Sequence, residues 1–328
     1  MPAPRDPSTL LAAARLYYLE NQSQAEIARE LGTSRSNVSR MLTEAQRQGI
    51  VTITINDPSG RVPQLEEELR HRFGLIDVRV AQRGPAVSVK VEDQVGQQAA
   101  QLLMERVADN MTVALSWGHA LQAMVYAVEV QRDYHLTLAQ LVGGLSSISN
   151  EISGAELVRE LATRLGADYV NLHAPATLTS AMARDALLAE QSIVEILDLA
   201  RSADLAFVGI GTPSHGSSAA ILSSLQLTPR EEKEFWAAEP VGDLAARYYD
   251  AEGHEVKGAV AARILALDLD DLRNIPNVVG VAHGRAKTPG VLGALRGRLV
   301  DSLVCDEVLA RMLLSEPTPV PPERRKSS

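Results

Sequence analysis

Within the stretch SNVSRMLTEAQR, Ser36, Asn37, Ser39, Arg40, Thr43 and Arg47 combine the side chains that read nucleic acid. An arginine guanidinium pairs bidentately with guanine, and serine, threonine and asparagine suit other base edges or phosphate oxygens. At 100° per residue Val38, Met41, Leu42 and Ala45 gather on one helical face, with Ser36, Ser39, Arg40, Thr43 and Arg47 opposite. The apolar face must pack inward, which leaves the polar face for a partner. Ser36, Asn37 and Arg40 are expected at bases. Gln24, Arg35 and Arg47 sit at helix ends or edges, where they are expected to hold phosphates and set register.

The elements that must position this face are legible around it. Ser23 followed by Glu26 is a capping box that starts a short helix carrying Ile27, Ala28 and Leu31 on one side. Gly32 suits the left-handed end of that helix, and Thr33 or Ser34 can cap the next one. Two short helices joined this tightly form a helix-turn-helix, the geometry that places a second helix in the major groove. Gly49 ends the second helix, and VTITI begins a short alternating strand, giving the unit a winged-helix-like outline. The bland alternative is an ordinary helical pair with a solvated polar face.

Charge is consistent with contact at this end alone. Residues 1 to 57 carry six arginines against six acids, so the rest of the chain holds the whole net charge of −9. DNA would repel that acidic body. Six or more phosphate contacts from a dimer would make binding steeply salt-dependent.

A second set of candidates lies downstream. The apolar segments VRVA at 78, TVALSW at 112, LTLAQLVGG at 136, YVNLHAPA at 169, LAFVGIG at 205 and VVGVAHG at 278 alternate with helical patterns such as VEDQVGQQAAQLLMERV and GAELVRELATRLG. This alternation predicts a Rossmann-like α/β domain with a mostly parallel sheet, whose ligands bind at the carboxyl ends of the strands. Several strands end in SWGHA, GGLSS, GIGTPSHGSS and AHGRAK, where bare backbone can turn amides toward an anion such as a sugar phosphate. Any one such loop could equally use glycine merely to turn. His119, His173, His215 and His283 fall in loops at this edge, with no close spacing that suggests a metal site. Neither metal nor cofactor is expected.

The 328 residues, 45% apolar, suit one small and one larger domain with a real core. The single cysteine, Cys305, fits a reducing cytoplasm, and neither a signal peptide nor a membrane span is expected. Expected boundaries are residues 1–57 for DNA binding, 58–63 (within DPSGRVP) as a hinge, 64–315 for effector binding and oligomerisation, and 316–328 as a flexible tail. Leu65, Leu69 and Phe73 on the helix after the hinge suit either a subunit contact or docking on their own domain.

Over roughly residues 10 to 315 the chain resembles the SorC family of bacterial sugar-responsive transcriptional regulators. The resemblance is carried, in order, by QAEIARELGTSRSNVSRMLTEAQRQGIVTITI, VALSWGHAL, LAQLVGGLSS, ADLAFVGIGT, VGDLAARYYD and VVGVAHGRAKTPGVLGALRGRLVDSLVCDEVLA. It implies an effector domain similar to sugar-phosphate isomerases and glucosamine-phosphate deaminases, used for sensing instead of catalysis. It also implies homo-oligomers, commonly tetramers, on operator DNA. By motif, Gly118 with His119 belongs to a first effector loop, Gly143 and Gly144 to a second, and Gly209, Gly211 and Thr212 to a third. The resemblance implies that Asp243 binds hydroxyls, that Lys287 holds phosphate and that His283 lies in the last loop. Asp306 and Glu307 match a closing acidic pair.

The sequence departs from the family pattern at His119 and Ala120, where a hydroxyl residue usually follows the glycine, and at His283, where a second glycine is common. Val142 leaves no lysine before the second loop for a Schiff base. Two competing readings remain: a sugar-phosphate isomerase or deaminase fused to a DNA-binding module, with Asp204, Asp243, His215 and His283 as nominal acid/base groups, and a constitutive DNA-binding scaffold with an empty pocket.

Overall fold

The computed structural model describes residues 6–51, 60–82, 90–129, 132–144 and 153–317. Contacts divide the chain into two units, Met1–Asn56 and Asp57–Ser328.

The first unit is built on helices α1 (Pro7–Tyr18), α2 (Gln24–Glu30) and α3 (Arg35–Arg47). Helix α1 was not foreseen from the sequence. Asp6 caps it through the Ser8 amide, Pro7 sits in its first turn, and Leu10, Ala13, Ala14 and Leu16 are buried. These four share a core with Ile27, Ala28, Val38, Met41, Leu42 and Ala45, so α1 is the floor on which the other two helices rest. The capping box of α2 forms in both directions: Ser23 N donates to Glu26 Oε2 at 2.8 Å, and Glu26 N to Ser23 Oγ at 3.3 Å. Gly32 takes φ +61°, and Ser34, not Thr33, caps α3 by accepting from Asn37 N at 3.2 Å. Residues 52–55 of the expected strand lie outside the described residues.

The second unit is an α/β domain, as its alternation predicts. Its strands are β1 (Asp77–Ala81), β2 (Thr112–Leu115), β3 (Thr137–Gln140), β4 (Asp168–Val170), β5 (Leu205–Gly211), β6 (Gly242–Leu244), β7 (Arg247–Tyr249), β8 (Val278–Ala282) and β9 (Ser302–Asp306). The main sheet runs β1-β9-β8-β5-β2-β3-β4 with every neighbouring pair parallel, and β6 pairs antiparallel with both β5 and β7. The six apolar segments became six of these strands. Strands β6, β7 and β9 were not foreseen, because an apolar run as short as LVC does not distinguish strand from helix.

Helix α4 (Pro63–Phe73) docks on its own domain: Leu65 and Leu69 are buried in the main core and Phe73 packs against it. The described part of the expected hinge is tied to the same domain. Val62 N donates to Val80 O, Gln82 N donates to Gly60 O, and Arg61 makes a bidentate ion pair with the buried Glu66. Residues 58–59 of the hinge and 318–328 of the expected tail lie outside the described residues.

The chain winds from β2 through β3 to β4 on one side, then restarts at β5 and winds through β8 to β9 on the other. The order therefore reverses between β2 and β5, and a crevice opens outside the carboxyl ends of two such strands.

Candidate functional site

That crevice is occupied by a cleft of about 340 Å³ at the ends of β2, β5 and β8. Helix α5 (His119–Ala127) begins there with Gly118 as its N-cap, at φ 134° and ψ 163°, a conformation open essentially to glycine alone. A second helix, Gly216–Ser224, also starts in the cleft, and Gly216, Ser217 and Ser218 line it. No side chain caps either helix, and both turn their N-terminal amides and the positive end of their dipoles toward the same space.

Asp243 and Lys287 face this space from the other walls. The Asp243 carboxylate is 5% exposed and its Oδ1 accepts from Ser218 Oγ at 2.5 Å. Burial raises its pKa above the ordinary carboxylate value; the Ser218 hydroxyl, the Lys287 charge and the Ala246 amide oppose that shift. Burial lowers the Lys287 pKa, and the Asp243 charge opposes it. Gly211 makes room for the carboxylate: a Cβ there would lie 1.7 Å from Asp243 Oδ1 and 2.1 Å from Ser218 Oγ.

The motif VGDLAARYYD folds into the β6–β7 hairpin, whose two-residue turn is Ala245 and Ala246 at φ 48° and 68°. Two positive φ values are what a two-residue hairpin of this twist demands, and glycine or asparagine usually meets that demand. Here burial of both alanines, 4% and 1% exposed, holds the turn against the cleft. Tyr248 and Tyr249 then donate to the carbonyls of Ser218 and Gly290, fixing the cleft's Gly216–Ser224 helix and the start of the helix after Lys287. Burial, and then the Asp243 charge, hold both phenols well above their ordinary pKa.

Of the residues singled out from the sequence, the structure brings Gly118, His119, Gly209, Gly211, Asp243, His283 and Lys287 together. It does not bring Gly143, Gly144 or Thr212 to the cleft. Gly143 N donates to Leu265 O and Gly144 N to Ala174 O, so these amides are engaged inside the domain. A Cβ at Gly143 would lie 2.6 Å from Ala174 O, and close packing accounts for that glycine. The rest of the second loop, Leu145–Ser147, lies outside the described residues. Thr212 bridges to His215 and turns away. His173 and His215 are exposed and do not line the cleft, and no metal-ligating group of three or more is present among the described residues. Trp117, Ser218, Ala245, Ala246 and Glu92 line it without having been named. Asp306 accepts from the amides of Gly284 and Val308, and Glu307 pairs with Arg311, so the closing acidic pair is structural. Asp204, a nominal acid/base group, lies at the opposite edge, where it accepts from Thr112 N at 2.8 Å.

In the first unit, Arg35, Ser36, Ser39, Arg40, Thr43 and Arg47 are exposed on α3. Arg40 Nε donates to Ser36 O at 3.2 Å, which lays the arginine along the helix surface. Arg47 is engaged in a bidentate ion pair with Glu44. Asn37 is half-buried, and its Nδ2 donates to Thr33 Oγ1 at 2.7 Å. Gln24 is half-buried in the first turn of α2.

A helix-turn-helix unit on the same chain as an α/β domain with an anion-ready cleft defines a DNA-binding transcriptional regulator with a ligand-sensing domain. Known proteins agree: residues 57–315 match the Sugar-bind family of sugar-binding domains, and residues 6–61 match the MarR family. The chain is 30% identical over 310 residues to the sorbitol operon regulator of Klebsiella pneumoniae, covering 93% of this chain and 97% of that protein. It is 28% identical over 306 residues to the deoxyribonucleoside regulator of Bacillus subtilis, with the same two shares of 93% and 97%. The full-length Klebsiella structure superposes with a TM-score of 0.73 at 29% identity, covering 95% of this chain and all (100%) of that one. The chain belongs to the SorC family of transcriptional regulators. These relatives are regulators. No described helix is long and apolar enough to cross a membrane.

Proposed function

We propose that the operator affinity of this regulator is set by a sugar, polyol or sugar phosphate bound in the cleft between β2 and β5. The observation that carries this reading is the convergence of two helix N-termini, Lys287 and Asp243 on one cavity. The phosphate meets the amides that open the two helices and the Lys287 ammonium, while Asp243 accepts from hydroxyls. The acceptor-only carboxylate suits a polyol, and the donor-rich opposite wall suits an anion.

On the DNA side, Ser36, Asn37 and Arg40 read bases and Gln24, Arg35 and Arg47 hold phosphates, with Ser39 and Thr43 on the same face. The operator is palindromic or repeated because the active species is a homo-oligomer, a dimer or tetramer. Self-association is supported by the helix Ala181–Leu188, which has no buried residue and leaves Met182 80% exposed. A ligand that prefers one quaternary arrangement shifts the population toward it and changes half-site spacing.

The test is thermal unfolding across a panel of sugars, polyols and their phosphates, because a ligand of the native state raises the midpoint by mass action. A phosphorylated compound is expected to raise it in the parent protein and not in Lys287→Ala. A rise with unphosphorylated compounds alone removes the phosphate from the reading, and no rise with any compound leaves a constitutive DNA binder.

A further inference from the structure

Trp117, on the cleft wall, and Gln140 carry buried donors that none of the groups above explains. Trp117 follows β2, lines the cleft, and is 8% exposed. Its indole Nε1–H is buried and has no hydrogen-bond partner. Gln140, the last residue of β3, is 1% exposed; its Oε1 accepts from Leu172 N at 2.5 Å, and its Nε2 is buried without a partner. Both side chains pack against Gly154. A Cβ placed on Gly154 would lie 3.0 Å from Trp117 Cδ1, the carbon bonded to Nε1, and 3.1 Å from Gln140 Nε2. Gly154 opens the helix Gly154–Leu165, whose N-cap, Ser153, supplies no side-chain acceptor. Two buried side-chain N–H donors without acceptors therefore lie beside the start of a helix that no side chain caps. A buried donor left unpaired is destabilising, so such a cluster is either a defect or a place that an acceptor fills.

We propose that the effector cleft continues past Trp117 toward β3 and that Trp117 Nε1–H, Gln140 Nε2–H and the start of the helix Gly154–Leu165 receive an acceptor group of the effector. Donors without acceptors select a carboxylate, phosphoryl or carbonyl oxygen over a hydroxyl, whose own proton would have nowhere to go. The β5–β8 side of the cleft, with Lys287, holds the phosphate, so the effector carries acceptors at both ends. Trp117 and Gln140 become specificity-determining residues. This rests on the phosphate reading above and adds the second end.

A pair of small probes separates the two. Glycerol 3-phosphate ends in a hydroxyl, and 3-phosphoglycerate ends in a carboxylate at the equivalent position. Calorimetric titration of the full chain is expected to give 3-phosphoglycerate about tenfold tighter binding, the worth of one or two charge-assisted hydrogen bonds. Gln140→Glu keeps the acceptor for Leu172 N–H and replaces the free donor by an anion, so it should bring the ratio to about one or below. Trp117→Phe should lower the ratio while keeping the ring. With Trp236→Phe in the background, Trp117 is the only tryptophan, and 3-phosphoglycerate should change its emission more than glycerol 3-phosphate does.

Equal affinities of the parent for the two probes, or an unchanged ratio in Gln140→Glu, overturns the second-end assignment and leaves the phosphate site standing. If inorganic phosphate and both probes fail to bind the parent, the phosphate reading falls and takes this one with it.

Discussion

Helix α3 and the cleft between β2 and β5, proposed above to read DNA and to hold the effector, solve opposite problems. Every polar residue assigned to α3 comes from a stretch of thirteen residues and stands on an exposed or half-exposed face, so its side chains are arranged by helical periodicity alone. The cleft gathers Gly118, Gly211, Ser218, Asp243 and Lys287 from five separate segments, and its charges are buried or half-buried. The first site spends little electrostatic energy when empty and acts through exposed contacts. The second keeps a desolvated carboxylate and ammonium, so bringing in a complementary ligand releases part of that desolvation strain.

The largest effect that sharpens this contrast is Lys287→Ala. Removing a half-buried ammonium should weaken binding of the phosphorylated effector by about 1.5–3 kcal/mol, roughly ten- to hundredfold, and leave effector-free operator binding unchanged. Titration calorimetry and a DNA gel shift read the two quantities; a loss in both would mean that the cleft and the helix are not separable. The same pair of residues gives the cleft a pH signature. Asp243 has a raised folded-state pKa, so between the unfolded value of 3.8 and that raised value the native state holds more protons, and stability falls as pH rises through the window. Lys287 has a lowered one, so below 10.5 the unfolded state holds more protons, and stability is lost as pH falls toward the folded value. Asp243→Asn should flatten the acid limb of a plot of Tm against pH, and Lys287→Ala the alkaline limb. Curves that superpose on the parent's would show that neither charge is strained.

Next in size is Arg40→Ala. One bidentate base contact is worth about 1–3 kcal/mol, and this loss should appear for the operator and not for random DNA. Arg47→Ala should cost less and affect both DNAs alike, because its guanidinium is shared with Glu44 and its expected partner is a phosphate. Equal, sequence-independent losses in the two variants would reassign Arg40 to the backbone.

The same contrast explains what the sequence made legible. On α3 the face, the cap and the glycine turn all follow from spacing, and the choice between Thr33 and Ser34 was the only open point; the structure gives the cap to Ser34 and uses Thr33 to hold Asn37. In the cleft, Asp243 and Lys287 were found through their motifs, and Gly118 and Gly211 through strand-end position. Gly143 and Gly144 look the same in sequence as Gly209 and Gly211, but whether a glycine amide is free depends on where Ala174 and Leu265 pass, which no local pattern encodes. The Ala245–Ala246 turn was invisible for the same reason: two alanines carry no signal until the β6–β7 hairpin brings them against the cleft, and although Ser218 ends the GIGTPSHGSS loop, nothing local marks it as the partner of Asp243. Helix α1 is a different case. Asp6 and Pro7 mark its start, and Leu10, Ala13, Ala14 and Tyr17 give its period, so its signals are local and lie in the sequence.

The smallest effect tests whether the two regions are independent in stability as well as in chemistry. Ser23→Ala removes the hydroxyl that accepts the Glu26 amide and donates to its carboxylate, leaving only the reverse bond from the Ser23 backbone amide. Loss of such a cap costs about 1 kcal/mol. The helix it caps buries Ile27 and Ala28 in a core that shares no member with the core of the α/β domain. The cost should therefore fall on the N-terminal unit alone, and for a unit this small it corresponds to a drop of roughly 4–8 °C in its midpoint. Scanning calorimetry of the full chain should show one transition moving and another, the one raised by effector, staying where it was. If a single transition moves instead, the two units unfold as one cooperative block. Effector bound in the cleft would then stabilise the recognition helix directly, without any change of quaternary arrangement.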